Sequence, residues 1–238
     1  MATSPDINPL RATNAEFGVV VGAEGSARSE GAAGSLNYPT ALERDVVSEG
    51  SLHYHLRPIR PDDASRLIEF HNRLSPRSCY LRFFTFHPTL SPKEVEHFTC
   101  VDYFDRLALV AEVDGTLIAV ARFDRHEGTT EAEVAFVVAD GYQHHGIGSL
   151  LLDELVLAAR ERGITTFLAD TLSENRAMLD VFLHAGFNVQ TDTEYGTVYL
   201  RFDITPTESF GRALASREQR RQIRPICPLL EVASARQC

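Results

Sequence analysis

The sequence predicts an α+β fold: a mixed, mostly antiparallel sheet of about seven strands flanked by helices. Segments of alternating apolar and polar residues follow one another in the middle of the chain. Asp114-Gly115 joins two of these segments with residues typical of a hairpin turn, and a long apolar helix interrupts the strands from residue 146. The chain has 238 residues, of which 44% are hydrophobic, and this suits one globular domain with extensions.

The first part of this domain combines one strand with short helices. Residues 52–60 alternate as a strand, and an acidic cap followed by helical apolar spacing predicts a helix over 61–74. Residues 78–84 favour a further helical turn or two. Ser91 and Glu94 stand at capping-box spacing, with a proline between them at the first helical position, and therefore predict another short helix.

The second part alternates strands and helices. The predicted elements are strands over 107–113, 116–124 and 131–140, a helix over 146–162, a strand over 165–171, a helix over 175–185, and a closing hairpin of strands over 188–193 and 197–204. Gly163 and Gly186 follow the two helices, where glycine commonly ends a helix.

Composition divides the chain into three parts. Residues 1–50 are rich in small and polar residues with little periodicity, and we expect a mostly disordered extension there. Residues 51–204 form the predicted folded domain, and residues 205–238 form a basic tail. Its arginines include Arg212, Arg217, Arg220, Arg221 and Arg224. The tail is either a solvated helix or a basic helix that grips an acidic partner.

Charge and cysteine content restrict the partners and the compartment. The net charge of −10 argues against nucleic acid as a partner. An acidic domain suits a cationic substrate such as a lysine side chain, although the same charge also serves solubility alone. The four cysteines form no C-x-x-C pair, so we expect neither a zinc site nor a disulfide framework. Without a signal peptide or an 18-residue apolar span, a cytoplasmic protein with no membrane partner is expected.

The segment 131–149 is the most informative part of the chain, because a charged strand runs through a glycine turn into an apolar helix. The first turn of a helix has N–H groups without intrahelical partners, and these groups and the helix dipole favour a bound phosphate. Gly146 and Gly148 remove side chains where a diphosphate would touch the backbone. A P-loop ending is absent, and a dinucleotide-binding loop would need a third glycine in register.

This loop resembles the pyrophosphate loop of the GNAT superfamily of N-acetyltransferases, and a second stretch matches that family at the expected distance. The two motifs read Gln143-x-x-Gly146-x-Gly148 and Asn175-x-x-Met178-x-x-x-Phe182-x-x-x-Gly186-Phe187. The resemblance covers roughly residues 52–204 and implies the GNAT fold. The segments 75–84 and 131–149 also resemble the acetyltransferase domain of bacterial protein-lysine acetyltransferases.

The resemblance implies that acetyl-CoA binds as co-substrate, with its pantetheine arm along a strand and its diphosphate on the loop. The implied contacts are Phe136, Val137, Val138, Gln143, His144, His145, Gly146, Ile147, Gly148, Ser149 and Asn175. Asn175 opens a helix, so its side chain serves as an N-cap, as a ligand contact, or as both. Adjacent histidines point apart, so His144 and His145 form no metal site, and no metal is expected.

Transfer of an acetyl group to lysine needs a general base, because the lysine ammonium has a reference pKa of about 10.4. Alternation places Glu131 and Glu133 on one face of a strand, with Glu133 nearer the predicted thioester site. In the bacterial protein-lysine acetyltransferases that this segment resembles, a glutamate on this strand is the base, so the resemblance implies that Glu133 is catalytic; the alternative is a surface carboxylate. The usual acid position of the family, a tyrosine, is Phe182 here and cannot donate a proton.

These observations predict an acetyl-CoA-dependent N-acetyltransferase whose acceptor amine, most directly a protein lysine, attacks the thioester without a covalent intermediate. Two alternatives stay open. One is a non-catalytic acyl-CoA-binding regulatory module, which the missing tyrosine favours. The other is an acetyltransferase for a small-molecule amine.

Overall fold

The computed structural model describes residues 38–48 and 50–225. The strands are β1 Arg44–Val47, β2 His53–Pro58, β3 Arg106–Val113, β4 Thr116–Arg125, β5 Glu131–Val138, β6 Thr166–Leu172, β7 Val189–Glu194, β8 Thr197–Asp203 and β9 Gln222–Pro225. The helices are α1 Ala64–Asn72, α2 Pro76–Phe83, α3 Pro92–Thr99, α4 Ile147–Glu161, α5 Arg176–Leu183 and α6 Glu208–Arg220.

One sheet contains all nine of these strands, in the order β7-β8-β6-β5-β4-β3-β2-β1-β9. Every neighbouring pair is antiparallel except β5 and β6, which are parallel because α4 crosses over between them. The predicted α+β class is confirmed. About seven strands were predicted, and the two additional strands are the short strands β1 and β9. The hairpin at Asp114 and Gly115 is also present, with positive φ at both residues.

Helices cover both faces of the sheet. On one face Phe136 of β5 packs against Phe182 of α5, with 5.2 Å between ring centroids. On the other face Leu67 of α1 and Val137 of β5 line the same apolar cavity. Successive residues of β5 therefore face different helical layers, and the strand lies in the middle of the molecule.

The strand β1 lies in the segment that the sequence assigns to a disordered extension. It pairs with β2 on one side and with β9 on the other, and Val46 is 1% exposed. The expected extension is therefore wrong for residues 44–47, because pairing on both edges satisfies their backbone and buries an apolar side chain. Residues 1–37, for which the same expectation was made, lie outside the described residues.

The tail packs against its own domain as far as residue 225. Phe210 of α6 stacks on Phe187 with 4.6 Å between ring centroids. Gly186 has φ +99°, and a Cβ there would lie 2.9 Å from the Cα of Phe210. Only glycine permits this approach, so α6 packs directly on the Gly-Phe pair that follows α5 and that resembles the family motif. The helix α6 is therefore not solvated along its whole length.

Candidate active site

The strands β5 and β6 separate part-way along their length. They pair at three positions, from Glu131 opposite Thr166 to Glu133 opposite Leu168, and no further pair forms between these two fully described strands. β5 remains paired with β4 as far as Val138. One edge of β5 beyond Glu133 therefore has no strand partner, and an extended ligand can pair with it as a strand would. The residues predicted to hold the pantetheine arm lie on this edge: Phe136, Val137 and Val138.

The loop after β5 leads into α4 without a capping side chain. Gly146 is the N-cap residue of α4, adopts φ 73°, and no side-chain hydrogen bond caps the helix. The N–H groups of the first turn, from Ile147 to Ser149, therefore have no intrahelical acceptor. Together with the positive end of the helix dipole, they fit a bound phosphate group.

Gln143 turns its side chain back into the protein. Its Nε2 donates to the carbonyl oxygen of Val138 at 3.1 Å and to Oγ of Ser78 at 3.3 Å. Asp140 accepts hydrogen bonds from the N–H and hydroxyl of Ser75 and from the hydroxyl of Ser78. Burial raises the pKa of Asp140, but these bonds outweigh it and hold the pKa below its ordinary value. A charged Asp140 therefore ties the loop to α2.

The other predicted loop residues differ in what they can present to a ligand. His144 and His145 are exposed at the tip of the loop. Ile147 is 1% exposed, so only its backbone is available. A Cβ at Gly148 would lie 3.6 Å from the side chain of Val181 on α5. This is an ordinary van der Waals distance, so packing against α5 does not by itself require glycine at position 148.

Asn175 and Phe182 mark the beginning and the interior of α5. The Oδ1 of Asn175 accepts a hydrogen bond from the N–H of Met178 at 3.3 Å, which is the N-cap arrangement. Phe182 is 1% exposed and contacts Phe136 and Phe202, with ring centroids 5.2 and 5.7 Å away. The position at which the family usually has a tyrosine is therefore filled by a core residue.

Glu133 lies half-buried at the point where β5 and β6 separate. Directly opposite on β4 is Asp124, whose carboxylate oxygens lie 3.1 Å from Nε of Arg106 and 3.3 Å from Nε of Arg122. These two arginines offset the charge of Asp124, the carboxylate that lies across the strand pair from Glu133. The predicted alternation is confirmed, since residues 131, 133, 135 and 137 are partly exposed while those between them are buried.

Glu131 is occupied by a partner of its own. It pairs with Arg201 of β8, and the hydrogen bond from this guanidinium lowers the pKa of Glu131. Of the two glutamates on this face of β5, Glu133 is therefore the one without such a pairing to β8.

Two arginines that the sequence did not single out as site residues lie on the Glu133 side of the sheet. Arg82 of α2 and Arg122 of β4 line an apolar cavity together with Ala135 and Val137. Burial, and then the charge of Arg122, lowers the pKa of Arg82 to about 10, against the opposing charges of Glu133 and Asp124. The carboxylate Glu133 thus faces a region that also contains cations.

Asp170 is a second carboxylate that sequence reasoning missed. It lies on β6, two residues beyond Leu168, which pairs with Glu133, so it shares the face of Glu133. Burial, with the charge of Glu133 adding to it, raises the pKa of Asp170 to about 7. Ionisable groups with such shifts concentrate at functional sites. The sequence did contain one indication of this site: Asp170 is a charged residue in a short, mostly apolar strand, on the same face as Thr166.

Among residues 38–48 and 50–225, no three histidine, cysteine or acidic side chains are grouped closely enough to hold a metal ion. Within the same residues, no helix combines the length and the apolar character that crossing a bilayer requires.

Comparison with known proteins gives a family match and two similar curated acetyltransferases. Residues 75–187 match the model of the acetyltransferase (GNAT) family. Acetyltransferase Pat of Mycolicibacterium smegmatis is 34% identical over 160 residues, which cover 66% of this chain and 47% of that protein. Acetyltransferase PA5475 of Pseudomonas aeruginosa is 32% identical over 149 residues, which cover 61% of this chain and 80% of that protein. This chain thus spans about half the length of the M. smegmatis protein.

Solved structures agree with these relatives. The crystal structure of the GNAT domain of S. lividans PAT has a TM-score of 0.66 and 42% sequence identity to this chain. The alignment covers 70% of this chain and 99% of that domain. The separated strands β5 and β6 and the loop before α4 lie within residues 75–187, the part of the chain that matches the family model.

Proposed function

Because this chain belongs to the GNAT family of acetyltransferases, we propose that it transfers the acetyl group of acetyl-CoA to an amine. The proposed acceptor is a lysine side chain of a protein. The observation that carries the proposal is the separation of β5 from β6 at Glu133. It supplies, in one place, an unpaired strand edge and a carboxylate at its closed end. The uncapped start of α4 lies at the other end of β5.

Each part of the proposed site has one task. The free edge at Phe136 to Val138 pairs with the pantetheine arm, and the amides from Gly146 to Ser149 hold the diphosphate. Acetyl-CoA supplies the acetyl group as a thioester, an activated form. A backbone N–H on β5 facing the thioester oxygen would stabilise negative charge that develops there.

Glu133 takes the proton of the attacking amine. Arg82 interacts electrostatically with Glu133 and favours this step, since nearby positive charge disfavours the ammonium form of the acceptor. The thiolate of CoA leaves without a tyrosine, because Phe182 lies in the core. An ammonium group that becomes an amide loses two protons: Glu133 takes one, and in the proposed mechanism the other passes through water to the thiolate.

The deciding experiment measures release of free CoA from acetyl-CoA with lysine-containing peptides and with small primary amines as acceptors. Mass spectrometry of the peptides locates the new acetyl group. We expect acceptor-dependent release with peptides. Release with small amines alone would replace the protein acceptor by a small molecule. Binding of acetyl-CoA without acceptor-dependent release would favour the non-catalytic module.

Replacement of Glu133 tests the assignment of the base. Glu133→Gln keeps the size of the side chain but removes the proton acceptor, so turnover should fall roughly 10²–10⁴-fold while affinity for acetyl-CoA stays near that of the wild type. Glu131→Gln is the matched control, being the same change on the same face of β5. Near-normal turnover of Glu133→Gln at saturating acceptor would show that Glu133 is only a carboxylate at the strand.

A further inference from the structure

A cleft at the start of α4 is lined by residues from two distant parts of the chain. Its volume is about 300 Å³. The loop side consists of His144, His145, Gly146 and Ser149, together with Gly50. The other side consists of Arg217, Arg220 and Arg221, which belong to the end of α6. These arginines lie beyond residues 75–187, the part of the chain that matches the family model.

The end of α6 is fixed against α4 by a buried ion pair. Arg217 donates two hydrogen bonds to the carboxylate of Asp153, at 2.9 and 2.6 Å, and both side chains are nearly buried. Arg221 donates to the same carboxylate at 3.2 Å and to the carbonyl oxygen of Gly146 at 3.1 Å. Arg221 therefore links the tail directly to the predicted phosphate loop.

A second cleft, of about 160 Å³, lies between α4 and α5. Ser149, Arg217 and Arg220 line both clefts, so the two lie side by side. The second cleft also contains Asp180 and Asp153, the latter already paired with Arg217. Arg220 lines both clefts and lies at their junction beside the loop, so its guanidinium is placed to reach a ligand that is bound on the loop.

We propose that Arg220 binds a phosphate group of CoA at this junction, so that a helix outside the matched family region completes the cofactor site. The inference rests on the proposed function, because it assumes that the diphosphate lies on the loop before α4. A guanidinium presents a planar fork of donors that suits phosphate oxygens, and charge assistance makes such bonds strong. Arg221 acts as a positioning residue through its bond to Gly146. The phosphate is either the diphosphate or the 3′-phosphate of CoA, which share this chemistry.

Calorimetric titration of the full chain with CoA and with 3′-dephospho-CoA tests the proposal. The variants are Arg220→Ala, Arg220→Lys and the control Arg212→Ala, whose side chain lies on the same helix, is 77% exposed and does not line either cleft. Arg220→Ala should bind CoA about tenfold to hundredfold more weakly, as expected for the loss of a hydrogen bond to a charged group. The affinity of Arg220→Lys for CoA should lie between those of the wild type and Arg220→Ala, and the affinity of Arg212→Ala should equal that of the wild type.

The two ligands identify the phosphate. If Arg220 binds the 3′-phosphate, Arg220→Ala loses affinity for CoA but not for 3′-dephospho-CoA; if it binds the diphosphate, both affinities fall. Unchanged affinity of Arg220→Ala for both ligands, with an unchanged melting temperature, would overturn the inference and leave the proposed function standing. Failure of the wild type to bind CoA would overturn the proposed function itself, and with it this inference.

Discussion

Asp170 and Glu133 lie on one face of neighbouring strands, at the place where those strands separate. Because burial and the charge of Glu133 raise the pKa of Asp170 to about 7, the folded protein keeps a proton that the unfolded chain releases near pH 4. The folded state then binds more protons than the unfolded state between these values. This group therefore makes the free energy of unfolding fall as the pH rises from about 4 to about 7.

Asp170→Asn should remove this pH dependence. Relative to wild type, the variant should gain roughly 2–3 kcal/mol of stability on going from pH 5 to pH 8. Urea denaturation at both pH values measures the difference, with Glu127→Gln, an exposed carboxylate in the loop between β4 and β5, as control. A constant difference between Asp170→Asn and wild type across this range would show that Asp170 has an ordinary pKa.

The residues of the candidate site divide into those that a local pattern reveals and those that only the fold brings in. Alternation along one strand was enough to place Glu133 on the open face. Asp170 is separated from it by a whole crossover through α4, so its proximity depends on the register of β5 and β6, the one parallel pair among the described strands. Arg220 is farther still along the chain, and its position beside the loop before α4 depends on how α6 packs.

At the scale of elements, the start of α4 combines helix stability with the proposed binding of phosphate. Ser149 is the third residue of α4, near the positive end of the helix dipole, and lines both clefts. A negative side chain there stabilises a helix, typically by about 0.3–1 kcal/mol, but repels a phosphate group. Ser149→Glu should therefore raise the melting temperature slightly while it abolishes binding of CoA.

Ser149→Gln separates charge from size in this experiment. It adds nearly the same bulk without the charge, so it should keep more affinity for CoA than Ser149→Glu, as measured by calorimetry. Equal affinities of wild type and Ser149→Glu would place the phosphates elsewhere. A lower melting temperature of Ser149→Glu would instead contradict the account of the helix start.

Most elements were predictable because their signals are local. The capping box at Ser91 and Glu94 is present at the start of α3, and α4 begins and ends within one residue of the prediction. β1 and β9 were missed because each has four residues, too few for a clear alternation. Their stability comes from each other and from β2, which are contacts between opposite ends of the chain.

At the scale of the whole molecule, α4 is the element on which both ends of the chain converge. Its adjacent acids Asp153 and Glu154 are buried, and each is paired with an arginine from a different end. Arg217 of α6 pairs with Asp153, and Arg44 of β1 lies 2.8 Å from Glu154. These two acids, in an otherwise apolar helical segment, are therefore the points at which β1 and α6 attach to α4. The sequence alone does not predict these attachments, because the partner arginines are far away along the chain.

The pair formed by Arg44 and Glu154 should make attachment of β1 depend on pH. Burial raises the pKa of Glu154 despite the opposing charge of Arg44, and Arg44→Ala removes that compensation. Breaking a buried pair costs about 3–5 kcal/mol; because the side chain of Arg44 is 26% exposed, we expect roughly 2–3 kcal/mol at pH 8. The loss should be smaller at pH 5, where Glu154 becomes neutral more readily.

Denaturation of Arg44→Ala, with Arg212→Ala as a control on an exposed arginine, measures this loss at the two pH values. Adding Glu154→Gln to Arg44→Ala should restore part of the stability at pH 8, because a neutral amide has a smaller cost of burial than a carboxylate. If the loss is the same at pH 5 and pH 8 and the second change restores nothing, the charge of Glu154 does not hold β1. In that case the attachment depends on strand pairing and on Val46, and the arginine contributes only its apolar stem.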